Sequence, residues 1–238
     1  MVHTTGTYGS DTVARAVARY TDAKVGELQS LYLSRAGAAY HDALAALSTL
    51  RKDEILSPWM QVGNMFLAAL FDGWDETQLG ELGRGPQQAV TAFQTALQLY
   101  AIHQRSKGEG VHASWRGTDD AEGKGNRFGA ACYELAEFNK RARRVDTDNA
   151  VTRRMAVVDS VSDFPGMVRG IRSLITMMRG ADRTIVLDYG SLASDLYLMQ
   201  FPESKPGVMQ RWAGDYYHAR RSDEVARKQA KTKKNQPA

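Results

Sequence analysis

Hydrophobic residues recur every three or four positions along most of this 238-residue chain. That spacing places apolar side chains on one face of an α-helix, whereas a half-buried strand needs them at every second position. Only TIVLDY, residues 184–189, resembles a strand, and it is short. The pattern therefore predicts an all-α protein. The clearest apolar stripes run through residues 13–32, 40–50, 90–100, 128–138 and 167–178.

Local signals mark the start of two of the predicted helices. Asp163 can accept a hydrogen bond from the first turn, and Pro165 tolerates a first-turn position where its missing N–H is not needed. Asp188 is a similar capping residue before Leu192 and Leu196. We expect helices to begin at both aspartates.

A glycine-rich stretch, KGEGVHASWRGTDDAEGKGN, interrupts the helical spacing at residues 107–126. Its five glycines favour a long loop. The sequence therefore predicts two helical bundles joined by this loop, an N-terminal one over residues 1–106 and a C-terminal one over 127–218. Residues 219–238 are polar and basic, and we expect them to form a disordered tail.

Composition is that of a globular protein, with 43% hydrophobic and 24% charged residues. No apolar run approaches the roughly 18 residues of a membrane-spanning helix. The start, MVHTTGTYGSDTVARAV, lacks the basic and apolar regions of a signal peptide. Cys132 is the single cysteine, so no internal disulfide can form, which fits a reducing compartment. We expect a cytoplasmic protein.

The sequence gives little indication of a metal site or of a phosphate-binding loop. Asp215 and His218 are one helical turn apart, but a metal site needs further converging ligands. The glycine-rich loop follows no strand and lacks the GxxxxGK[ST] pattern. We expect no metal and no cofactor.

Catalytic groups are equally hard to find. Cys132 shares an apolar stripe with Phe128 and Leu135, which favours packing over nucleophilic catalysis. Two carboxylate pairs, at residues 119–120 and 223–224, are typical of solvated charge and not of a buried acid–base site. The sequence predicts no catalytic residues and therefore no enzyme.

Charge is unevenly distributed although the net charge is only +4. Residues 138–183 hold ten Lys or Arg and five Asp or Glu, and residues 218–238 hold seven and two. Nine of the ten cations in the first segment are arginine, whose planar guanidinium binds phosphate oxygens in a bidentate way. The residues alone leave two interpretations open, a phosphate-contacting surface and an ordinary solvated helix face.

Several stretches in order resemble the CasB family, the small subunit of the type I-E CRISPR surveillance complex Cascade. The resemblance covers about residues 28–217. The stretches that carry it are ALQLYAIHQRS (96–106), NRFGAACYEL (126–135), RARR (141–144), TRRM (152–155), MVRGIRSLI (167–175), LDYGSLASDLYLM (187–199) and VMQRWAGDYY (208–217).

The resemblance implies an all-α, two-bundle, non-catalytic subunit that pairs head to tail with a second copy of itself. It also implies a position between the large subunit of Cascade and the guide-bound backbone subunits. The basic surface of the pair would hold target DNA and the displaced strand, so that the R-loop is stabilised. A purely structural adaptor, whose basic surface binds acidic protein partners, is the alternative function.

Seven arginines are assigned to nucleic-acid binding by matching position in the resemblance: Arg35, Arg143, Arg144, Arg153, Arg154, Arg169 and Arg172. Arg51 and Lys140 are added mainly for their charge. Trp212 and Tyr216 are interpreted as core residues and not as platforms for base stacking.

Overall fold

The structure is a computed structural model, and it describes residues 6–52, 85–115, 126–144 and 149–234. Eight α-helices form the regular structure of these ranges, so the predicted all-α class is confirmed. The helices are α1 (Gly6–Ser34), α2 (Gly37–Lys52), α3 (Pro86–Gln104), α4 (Phe128–Arg143), α5 (Ala150–Ser160), α6 (Phe164–Arg179), α7 (Tyr189–Leu198) and α8 (Lys205–Lys234).

The strand-like stretch 184–189 forms no strand. Leu187 makes an isolated parallel bridge with His112, and its backbone N–H donates to the carbonyl oxygen of Val111 at 2.9 Å. This pairing fastens the start of the glycine-rich loop to the segment that precedes α7.

Both predicted helix starts are confirmed. The side chain of Asp163 accepts a hydrogen bond from the backbone N–H of Gly166 at 2.7 Å, and that of Asp188 accepts one from Ser191 at 2.8 Å. Each carboxylate satisfies an N–H group that has no partner within its own helix. These caps fix where α6 and α7 begin.

Helices from both sides of the glycine-rich loop contribute to one hydrophobic core. Helix α1 packs chiefly against α7, while α3 contacts α6 and α7. Helix α4 packs against α8 and α5, and α5 packs along α6. The described residues show one connected core cluster. The division into bundles over residues 1–106 and 127–218 stays a prediction.

Side chains of α1 hold the described part of the loop. Gln29 accepts a hydrogen bond from the backbone N–H of His112 at 2.8 Å and donates one to its carbonyl at 3.1 Å. Asp22 accepts from the backbone N–H of Trp115 at 2.7 Å. Residues 116–125 of the predicted loop lie outside the described residues.

Residues 219–234 of the expected tail continue α8, and residues 235–238 lie outside the described residues. No glycine or proline occurs between Gly214 and Pro237, and most residues there are good helix formers. Arg227 also ties the helix to α4, through a hydrogen bond to Glu137 at 2.6 Å. Within the described ranges, no helix is both long and apolar enough to span a membrane.

Candidate nucleic-acid interface

Helix α6 presents Arg169 on the side opposite its core face, and Arg172, which is half-buried, lies beyond the edge of that face. Its core face consists of buried apolar residues: Met167, Val168, Ile171, Leu174, Ile175 and Met178. The Arg169 side chain is 72% exposed, and its guanidinium lies 3.9 Å from the carboxylate of Asp163. An ion pair with this separation and exposure contributes at most about 1 kcal/mol to the stability of the fold. Arg169 is therefore available to an external anion.

Helix α5 carries Arg153 and Arg154 on its exposed side, while Val151 and Val158 are buried. The Nε of Arg154 donates to the Oγ of Ser173 on α6 at 3.3 Å. That hydrogen bond places Arg154 beside the outer face of α6, which Arg172 shares. The side chains of Arg153 and Arg154 make no ion pair within the described residues.

Arg143 and Arg144 lie at the end of α4, and both are exposed. Arg144 adopts a left-handed conformation, with φ 52°, and its backbone N–H caps the carbonyls of Lys140 and Arg141. This left-handed residue ends the helix and turns the chain towards α5. We call the following set of arginines the arginine surface, of which Arg172 is half-buried and the others are exposed: Arg143, Arg144, Arg153, Arg154, Arg169 and Arg172.

Lys140 is engaged within the protein. Its ammonium group pairs with the carboxylate of Glu137, which also accepts a hydrogen bond from Arg227 at 2.6 Å. Burial alone would raise the pKa of Glu137, but the hydrogen bonds from Lys140 and Arg227 outweigh burial and hold that pKa below its ordinary value. An anion at Lys140 would have to compete with this carboxylate.

Arg35 and Arg51 belong to none of the three helices that carry the arginine surface. Arg35 separates α1 from α2 in a left-handed conformation, and its Nη2 donates to the carbonyl of Gly108 at 2.9 Å. Arg51 is half-buried in the last turn of α2. Burial lowers the pKa of Arg51, and the positive charges of Arg105 and Arg179 lower it further.

Two cations that the sequence analysis did not select act on Arg51: Arg105, which follows α3, and Arg179 at the end of α6. Lys107 lines a cleft with both of them. The stretch HQRSKG, residues 103–108, contains the only local signal, two cations directly after a helix. Their proximity to α2 and α6 depends on tertiary packing, so sequence spacing could not reveal it.

Trp212 is a core residue, as predicted. It is 2% exposed, its indole N–H donates to Asp195 at 2.6 Å, and its ring lies 4.4 Å from that of Phe128. Tyr216 is half-buried and packs edge-on against Tyr133. Neither ring is presented to solvent as a stacking platform.

Cys132 is buried, and burial raises the pKa of its thiol. A thiol held in its neutral form is a poor nucleophile. In the ranges that the structure describes, no three His, Cys, Asp or Glu side chains converge as a metal site would require. The chemistry that these residues present is the binding of anions by arginine.

The described residues define the class of an all-α protein that presents exposed arginines at α4, α5 and α6. The profile of the family described as CRISPR-associated protein Cse2 matches residues 43–217, which is more than half of the chain. The chain therefore belongs to the Cse2 family, also called CasB, as the resemblance predicted. Membership of this family indicates a subunit of the CRISPR Cascade complex.

The fold agrees with this assignment. The crystal structure of CasB from Thermobifida fusca is similar, with a TM-score of 0.59 and 23% sequence identity. The similarity covers 84% of this chain and 97% of that chain. At this level of identity it establishes the fold. No curated protein sequence matches the chain.

Proposed function

We propose that this chain is a non-catalytic small subunit of an RNA-guided CRISPR surveillance complex, and that its arginine surface holds target DNA and the displaced strand. The observation that carries the proposal is the hydrogen bond between Arg154 and Ser173, because it joins the basic sides of α5 and α6. Exposed guanidinium groups on adjoining helices can engage successive phosphates of one strand.

The physical requirements of such a complex fit this surface. Base pairing with the guide RNA supplies sequence specificity, so that a protein subunit needs only to bind the nucleic-acid backbone. Arginine forks bind phosphate without reading the base. Binding of this kind to the separated strands would stabilise the R-loop.

The proposed assembly places this subunit between the Cascade large subunit and the guide-bound backbone subunits, next to a second copy of itself. The work of the subunit is binding, without a cofactor or a catalytic group. We place the complex in the cytoplasm, where the buried free thiol of Cys132 is compatible with a reducing environment.

Paired variants test the proposal against the adaptor alternative. Arg153→Ala with Arg154→Ala should weaken DNA binding by the isolated chain and leave its co-purification with the other Cascade subunits unchanged. The control, Arg15→Ala with Arg19→Ala, removes the same charge from exposed positions on α1. Intact DNA binding together with failed co-purification would show that the arginines bind protein, and the adaptor would replace the proposal.

A further inference from the structure

A second cationic region forms where the ends of three helices meet. Arg51 occupies the last turn of α2, Arg105 follows α3 directly, and Arg179 ends α6. Helix C-termini carry partial negative charge, which accounts for a cation at each end. This partial charge does not explain why the three arginines lie close together. None of the three makes an ion pair within the described residues.

The loop that follows α3 is held in place by hydrogen bonds. Lys107 Nζ donates to the carbonyl of Ala181, beyond the end of α6, at 2.7 Å. Gly108 accepts from Arg35, and the Gln104 side chain donates to the carbonyl of Glu109 at 2.9 Å. These hydrogen bonds hold the backbone around residues 107–109 and the ammonium group of Lys107 in place.

The charges of this region act on neighbouring groups. Burial lowers the pKa of Arg51 first, and Arg105 and Arg179 add to the effect. Burial likewise lowers the pKa of His103 to about 3, with further contributions from Lys107 and Arg179. Arg51 on α2 and His103 on α3 thus both experience the positive charges of this region, which a bound anion would neutralise in part.

A cleft of about 440 Å³ lies among these cations, lined by Arg105, Ser106, Lys107 and Arg179. Its volume is in the range of small-ligand sites, and its lining offers guanidinium, ammonium and hydroxyl donors. We propose that this cationic cleft binds phosphate groups. The backbone of a nucleic-acid strand is the source we favour, a choice that rests on the proposed function; a free phosphate compound is the other source.

The position of the cleft supports the nucleic-acid source. Arg172 and Arg179 are seven residues apart on α6, which places them on the same face about two turns from each other. The cleft therefore lies at the end of the arginine surface on this helix. A strand that follows Arg169 and Arg172 would reach Arg179 and enter the cleft.

The test measures two probes, a fluorescently labelled oligothymidine by anisotropy across a salt series and inorganic pyrophosphate by calorimetry. Arg105→Ala with Arg179→Ala is compared with wild type, with Arg153→Ala/Arg154→Ala and with the charge-matched control Arg15→Ala/Arg19→Ala. The single variant Arg105→Ala, at an exposed side chain, replaces the double variant if circular dichroism shows loss of helix. Removing one bound phosphate should flatten the log–log salt slope by about 0.7.

Weaker oligothymidine binding and a flatter slope in the cleft variant, with the control unchanged, are expected and support a backbone phosphate site. Pyrophosphate binding that the cleft variant abolishes, without any effect on oligothymidine, supports the site and assigns it to free phosphate compounds. If neither probe binds wild type, or both bind the folded cleft variant as they bind wild type, the cleft is not a phosphate site. If the Arg153/Arg154 variant loses oligothymidine binding and the cleft variant binds both probes as wild type does, the cleft is overturned and the proposed function stands. If only the cleft variant loses oligothymidine binding, the cleft stands and the role of the arginine surface is overturned.

Discussion

Gly129 on α4 lies directly against the backbone carbonyl of Trp212 on α8, so closely that a Cβ at this position would overlap the carbonyl oxygen. The side chain of Trp212 is held by the hydrogen bond from its indole N–H to the Asp195 carboxylate, which restrains this part of α8. The close approach of α4 and α8 therefore depends on the absence of a side chain at residue 129.

Gly129→Ala should lower the free energy of unfolding by about 1–3 kcal/mol, since the two helices must separate to admit the methyl group. The higher helix propensity of alanine offsets only part of this loss. Urea denaturation followed by circular dichroism measures the change.

The matched control is Gly214→Ala on α8, where a Cβ would meet no atom within 4 Å. This variant should be as stable as wild type or more stable by up to about 1 kcal/mol. Equal stability of Gly129→Ala and wild type would mean that α4 and α8 are not packed as closely as described.

His103 should make stability depend on pH. Its pKa of about 3 lies well below the ordinary value because of burial, Lys107 and Arg179. As the pH falls below about 6.5, the unfolded chain binds a proton on this histidine that the folded chain does not accept. The contribution of the neutral His103 to stability is therefore fully present above that pH, and it is lost progressively on acidification towards pH 3.

His103→Gln isolates the contribution of His103 to the pH dependence of stability, because the carboxylates that also titrate are common to wild type and the variant. Between pH 7 and pH 5, wild type should lose about 2 kcal/mol more unfolding free energy than the variant does. His218→Gln, at an exposed position on α8, should keep the wild-type profile. Parallel profiles for wild type and His103→Gln would contradict a buried, neutral His103.

Glu137 should hold the basic end of α8 against α4. Its side chain is 10% exposed and pairs with both Lys140 and Arg227. Glu137→Gln removes the negative charge that pairs with Lys140 and Arg227. It should lower the free energy of local unfolding of residues 219–234 by about 1 kcal/mol, which corresponds to about fivefold faster amide exchange. Hydrogen exchange of residues 219–234 measures it.

Glu224→Gln provides the comparison for this experiment. Glu224 pairs only within α8, with Arg220, and both side chains are more than half exposed. Its removal should change amide exchange less than the removal of Glu137 does. Equal effects of the two variants would show that the pairing with α4 does not hold the end of α8.

The fold was predictable where the cause is local. Asp163 with Pro165, and Asp188, marked the starts of α6 and α7 because capping depends on residues within one turn. Periodicity likewise separated Arg169 from the core face of α6. Composition alone suggested a disordered tail, whereas the pairing of Arg227 with Glu137 on α4, 90 positions away in sequence, depends on how the helices pack.

The candidate site was predictable only in part for the same reason. Arg153 and Arg154 could be placed on the outer side of α5 from sequence, and their nucleic-acid role stays a prediction. The link from Arg154 to Ser173, and the meeting of Arg51 with Arg105 and Arg179, depend on how helices pack. No spacing rule within a single helix contains that information.

The most direct test of the proposed function is DNA binding across a salt series. Labelled single- and double-stranded DNA would be titrated with wild type and with a variant carrying alanine at Arg143, Arg144, Arg153 and Arg154. A control variant with alanine at Arg15, Arg19, Arg221 and Lys228 removes the same charge from other exposed positions.

We predict that the arginine-surface variant binds DNA more weakly than wild type and keeps its helicity. Its log–log salt slope should be flatter by roughly 0.7–0.9 for each phosphate that is no longer bound. The control variant should bind close to wild type. An unchanged slope, or equally weakened binding by the control, would contradict a phosphate-binding arginine surface.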